Sequence, residues 1–257
     1  MRKNMLVLLC VALGILMMSS VGVAGLNPGT GIKQTAHDLS TATGRGNLWN
    51  AGSNVDSLDR ICIYCHAPHH TLTTAGAAAA GLTYYPLWNH QVTTAVYELY
   101  SNTPIGNPDI PNNISHQLNA TLTQPGSISK LCLSCHDGTV AVNQYGYAPA
   151  TSYNAGNVFI TSQPRFGIGV AAQGGLQNHH PIGFDYGAVF AIDDEIKDPA
   201  STLIGNNPYG LTINDLLFGN KMECASCHDV HNTKNTGNKF LWVEDTNSNL
   251  CFSCHLK

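Results

Sequence analysis

The residues best suited to chemistry are eight of the nine cysteines, which fall into one pattern repeated four times. The first copy is Cys62-Ile63-Tyr64-Cys65-His66 and the second is Cys132-Leu133-Ser134-Cys135-His136. The third is Cys224-Ala225-Ser226-Cys227-His228 and the fourth Cys251-Phe252-Ser253-Cys254-His255. C-x-x-C-H is the attachment pattern of a c-type haem. Two thiols add across the vinyl groups of the macrocycle, and the adjoining imidazole swings under the iron as the proximal ligand. The spacing is tight because thioethers and iron ligand must meet one macrocycle. Zinc sites and disulfides also use Cys-x-x-Cys pairs. Here every pair is followed at once by His, which makes up 12 of 257 residues, so four coincidences have a chance of about 10⁻⁵. The expectation is four covalent haem c groups with His66, His136, His228 and His255 on the irons.

An iron with one imidazole is five-coordinate and open to small ligands; a second strong ligand closes it and suits it to electron transfer. Methionine is nearly excluded as that ligand. Met1, Met5, Met17 and Met18 belong to an apolar leader, and Met222 sits two residues before Cys224, badly placed for that haem. Eight histidines remain outside the motifs, enough for four bis-His irons at low potential. The expected distal ligands are His37, His69, His180 and His231, with His70, His179, His90 and His116 in reserve. His69 and His231 each follow a proximal His by three residues. One helical turn on, they lie on the same face as that ligand; they cannot reach the far side of their own haem but could serve a neighbouring one. His180 stands in His179-His180-Pro181-Ile182, where the proline stiffens the segment and His179 is its rival. His37 is the sole His ahead of the first motif. His90 and His116 lie in the long insert, as spare, structural or ligating residues.

The elements that must hold these groups are short. The chain has 25 Gly, 12 Pro and 24 Asn, with 11% charged and 8% aromatic residues, a turn-rich composition poor in long helices. With 43% hydrophobic residues it is not a disordered composition. The expected fold class is mostly coil with short helices around each motif and little sheet, organised by haem. Each macrocycle is a large apolar plate, and covalent and axial bonds staple the chain to it, much as disulfides order small folds. Thr93–Tyr100 and Leu211–Phe218 are further helix candidates, Ala75–Gly81 reads as an exposed loop, and Tyr145–Gly175 as loops or short strands. Leu131-Cys-Leu-Ser-Cys-His136 differs at one position from Leu250-Cys-Phe-Ser-Cys-His255, and each is preceded by a motif carrying His at the same offset. The reading is two dihaem modules, 26–150 and 151–257, sharing one continuous haem-packed unit.

Arg2 and Lys3 followed by apolar Met5–Met18 and small residues to Gly25 read as a cleaved signal peptide over 1–25. No membrane span is expected after cleavage. Without Arg2 and Lys3, 10 basic residues face 16 acidic ones, a net charge of −6. With no Lys/Arg run, nucleic acid and anionic membranes are excluded as partners.

The string His37-Asp38-Leu39-Ser40, Cys62 to His69, Pro86-Leu87-Trp88-Asn89, Leu131 to Gly138 and His180-Pro181-Ile182-Gly183 resembles the doubled C-x-x-C-H multihaem cytochromes of metal-respiring bacteria, over most of the mature chain. With four haems, export and this length, it is similar to the outer-surface tetrahaem cytochromes that polymerise into filaments. The resemblance implies stacked haem pairs joined by T-shaped contacts, all bis-His, in a chain of haems running through successive copies. It also implies an axial His shared between subunits. His37 lies eleven residues from the mature start, a reach of roughly 35 Å when extended, and is the best candidate for that role. The implied function is extracellular electron transfer, with redox partner cytochromes and extracellular electron acceptors as partners. A monomeric periplasmic or outer-surface shuttle is the alternative. A multihaem reductase would need an open iron, which the spare histidines oppose, and no motif has Lys in place of its His.

Overall fold

The computed structural model describes residues 31–33, 35–39, 60–69, 71–100, 120–146, 159–160, 175–177, 179–205, 210–233 and 240–256. The leader, His70, His116 and most of Tyr145–Gly175 lie outside them. Five α-helices are described: α1 Thr74–Ala79, α2 Ser127–His136, α3 Tyr186–Phe190, α4 Cys224–Cys227 and α5 Asn249–Cys254. Cys62–Tyr64, Asn214–Leu216 and Thr246–Ser248 form 3-10 turns. Among the described residues strand pairing is limited to isolated antiparallel bridges. The chain is mostly coil, and no described helix is long and apolar enough to cross a membrane.

Two local expectations change. The small-residue run is helical, because Ala has the highest helix propensity and the Thr73 hydroxyl caps the start by accepting from Gly76 N at 3.1 Å. Thr93–Tyr100 is not helical but coil. Its β-branched Thr93, Thr94 and Val96 disfavour a helix. The Gln124 side chain also mimics a strand neighbour, its Oε1 accepting from Tyr97 N and its Nε2 donating to Tyr97 O, both at 2.9 Å. In Leu211–Phe218 only the turn Asn214–Leu216 is helical.

Apolar burial is divided among separate clusters. The largest joins Phe184, Tyr186, Val189, Ile204, Ile213, Leu216, Met222 and Val243. Met222 therefore serves packing. Others gather Leu72, Trp88 and Leu131 with their neighbours, Tyr64 with Tyr145, and Tyr97 with Leu133 and Leu176. Gly183 ties the segment before the third motif to the segment before the second: its carbonyl accepts from Thr123 N and Oγ1, and its N donates to Met222 O. Its φ is +80°, and a Cβ there would meet Thr123 O at 2.5 Å, so glycine is required on both counts.

Candidate haem-attachment site

All four motifs share one local construction, a single helical turn. His66 N donates to Cys62 O at 2.8 Å, His228 N to Cys224 O at 3.1 Å and His255 N to Cys251 O at 2.9 Å. The second motif lies wholly within α2. A helical turn puts residues i and i+3 on one face, so both thiols of a motif are presented together with the His just beyond. The backbone at His66, His228 and His255 is then anchored by bridges to Trp88, Leu241 and Ile196.

Burial pushes the Cys65 thiol up to about 11 and Cys227 up to about 12, and raises Cys135 as well. Cys132 is pushed up first by its hydrogen bond to Cys224 and then by burial. Cys224 is lowered instead, first by its hydrogen bond to Cys132. Zinc requires deprotonated thiolates, and among the described residues no group of three or more His, Cys, Asp or Glu is gathered to hold a metal ion.

The histidines are drawn into pairs. The ring centres of His37 and His136 are 5.9 Å apart, those of His66 and His231 6.1 Å, and those of His180 and His255 6.3 Å. A first-row metal lies about 2 Å from an imidazole nitrogen; two imidazoles on opposite sides of one metal therefore have ring centres about 6 Å apart. Ring orientation agrees. An iron-ligating His usually donates its other ring N–H to a carbonyl. His66 Nδ1 donates to Pro86 O at 2.7 Å and His180 Nδ1 to Pro181 O at 2.9 Å, leaving Nε2 available in each.

His37 is bonded to the Val230 backbone, while its Nδ1 is buried with no partner. Burial, then the nearby imidazoles of His136, His228 and His231, push it down to about 3. It is thus the neutral imidazole that a metal binds. Trp88 Nε1 is also buried without an acceptor, and the indole lies edge-on to His66 at 6.4 Å. An orphaned buried donor costs about 1–3 kcal/mol, which an acceptor oxygen of a haem propionate would offset. The residues fit haem.

The other sequence candidates are placed differently. His90 is fully buried, with Nδ1 2.7 Å from Gln91 O and Nε2 3.0 Å from Ala141 O and 3.4 Å from Cys135 Sγ; burial keeps it neutral, so only one of these nitrogens donates to a carbonyl. His69 is exposed and His179 half-buried. His37, expected to reach another copy, lies against His136 of its own chain, stacked on Phe240 at 4.7 Å.

Phe240 gives no signal in sequence. Glu223 was also missed, although it directly precedes Cys224. It is buried, and its carboxylate accepts from Gly126 N at 3.1 Å and from the Ser129 hydroxyl, which in turn accepts from Cys224 N at 2.8 Å. This clamp joins α2 to α4, which pack together, and so sets the second motif against the third. A side chain at Gly126 would run into Glu223 Oε1. Glu223→Ala strips the acceptor from these buried donors and is expected to lower stability by about 2–3 kcal/mol, read as a lower unfolding midpoint at unchanged haem content.

A model of the doubled CXXCH motif family matches residues 218–257, the stretch holding the third and fourth motifs. No curated protein and no solved structure matches the chain. The matched motif pair, with its helical turns and adjoining histidines, is consistent with a haem-binding, electron-transferring multihaem c-type cytochrome.

Proposed function

We propose that the protein is an extracellular electron carrier rather than an enzyme, with four haem c groups, all bis-His, and that copies join head to tail into a filament. When bound, haem iron supplies one-electron exchange between its ferric and ferrous states. Cys62 and Cys65, Cys132 and Cys135, Cys224 and Cys227, and Cys251 and Cys254 provide the thioethers. His66, His136, His228 and His255 provide the proximal nitrogens. For three of the four irons, the observation that carries the reading is the facing of His136, His66 and His255 by His37, His231 and His180 at ring separations of 5.9–6.3 Å. These three pairs are the assigned axial sets. The cis contact of His37 replaces the shared-ligand role that the resemblance implied for it. A closed iron excludes substrate, which favours electron transfer over reductase chemistry.

Assembly is supported by the apolar surface around the fourth motif. Phe190, Ile192, Phe252 and Leu256 are exposed there, beside an open hollow whose lining also carries Asp193, Asp194, Lys197 and Asp198. Head-to-tail contact between two different surfaces that does not close yields a filament.

A pyridine haemochrome assay of the purified chain is expected to give four haems per polypeptide, with only low-spin ferric signals. Fewer than four haems or a strong high-spin signal overturns the ligation scheme. Electron microscopy showing only monomers leaves the shuttle reading in place of the filament.

A further inference from the structure

Asp137 directly follows His136 and is 1% exposed. Its carboxylate is surrounded by donors. Oδ2 accepts from Thr93 Oγ1 at 2.5 Å and from Tyr97 OH at 2.7 Å; Oδ1 accepts from Thr139 N and Thr139 Oγ1, each at 2.7 Å. A carboxylate can take that many donors only as an acceptor-only group. None of these partners is a cation, so the charge is held by dipoles rather than neutralised. Its field reaches the motif: Asp137 contributes to holding the neighbouring Cys135 thiol up. The corresponding positions after the first and fourth motifs are Ala67 and Leu256, which carry no charge. After the third is Asp229, whose carboxylate accepts from His231 N, Thr233 N and Thr233 Oγ1.

We infer that Asp137 is a potential-setting residue, whose buried negative charge makes the haem on His136 the most reducing of the four. The inference rests on the haem reading above. A fixed anion stabilises ferric over ferrous iron, and the effect is large where low dielectric leaves it unscreened. The coil segment bearing Thr93 and Tyr97 supplies two of the donors that hold the charge in place. This gives that segment a purpose beyond connection. Asp229 acts in the same sense on its own motif. The first motif, followed by Ala67, lies at higher potential, while at the fourth Asp193 acts on His255 from another segment.

The test is a spectroelectrochemical titration of the fully loaded protein and two variants. Asp137→Asn keeps the shape and removes the charge. It is expected to lower the ferric/ferrous ratio of the most negative of the four components about tenfold at a given applied potential, a rise of ~59 mV for one electron, and leave the others in place. Tyr97→Phe removes a donor but keeps the charge, and is expected to lower the same component. A merely structural role would move both variants in the same direction. If both variants load four low-spin haems and the most negative component does not move, or moves the same way in both, the inference is overturned. If Asp137→Asn fails to fold, the sign of the Tyr97→Phe shift decides. Should the wild type itself lack four haems or show high-spin iron, the underlying haem reading fails instead, and the two failures are distinct.

Discussion

With all eight motif cysteines replaced by serine, the chain is expected to lose its cooperative fold. The longest described helix has ten residues, and isolated helices shorter than about 12–15 residues are marginal in water. Among the described residues there is no sheet to compensate, only single bridges. The buried apolar residues form separate clusters, and those flanking the motifs include Cys65, Cys135, Cys227 and Cys254 as partly buried members. Haem at those positions would fill the space between clusters and tie distant segments together. Without it, the ordering entropy of the chain has too little burial against it, and the whole stability of about 5–15 kcal/mol typical of a domain is forfeited. Far-UV circular dichroism and limited proteolysis check this. The loaded protein should melt in one steep transition, whereas the serine chain should show no transition and be cut throughout. A steep transition in the serine chain near that of the loaded protein would show that the polypeptide needs no haem to fold.

His231→Ala should open one iron in four. His231 belongs to the second half of the chain and lies nearly parallel to His66 of the first, with 22° between the ring planes. Its own motif ligand, His228, is only three residues away, so His231 is free to serve another haem. Removing it leaves the iron on His66 five-coordinate. About a quarter of the ferric signal should become high-spin, and the reduced protein should bind one carbon monoxide per chain, both close to zero in the parent. The same change severs a link between the two halves, so the unfolding midpoint should fall. Four low-spin irons that ignore carbon monoxide in the variant would refute the His66–His231 pair.

Other features were legible in sequence to different depths. The motif turns could be read directly, since thiol spacing and the single helical turn are the same statement. The coil-rich class followed from Gly, Pro and Asn content, which opposes long elements whatever the tertiary contacts. Histidine pairing was harder. The offset of His231 excluded its own haem without naming the one it faces. His180 was legible through Pro181, whose carbonyl now receives its Nδ1 proton. His37 was placed on a reaching arm because its neighbours along the chain carry no contact signal. Its actual surroundings, Phe240 and His136, are 203 and 99 residues away in sequence.

What the sequence by itself determined was local chemistry: four thiol pairs, four adjoining imidazoles and a surplus of histidine. These depend on residue type and on separations of a few residues, where backbone geometry leaves little choice. Only the tertiary structure decided which imidazole meets which, that His90 is buried beside Cys135, and that Glu223 and Asp137 are buried among donors. Those outcomes depend on segments 40–200 residues apart in the chain arriving together. Long-range meeting of that kind is governed by packing and closure of loops, for which adjacent residues hold no code.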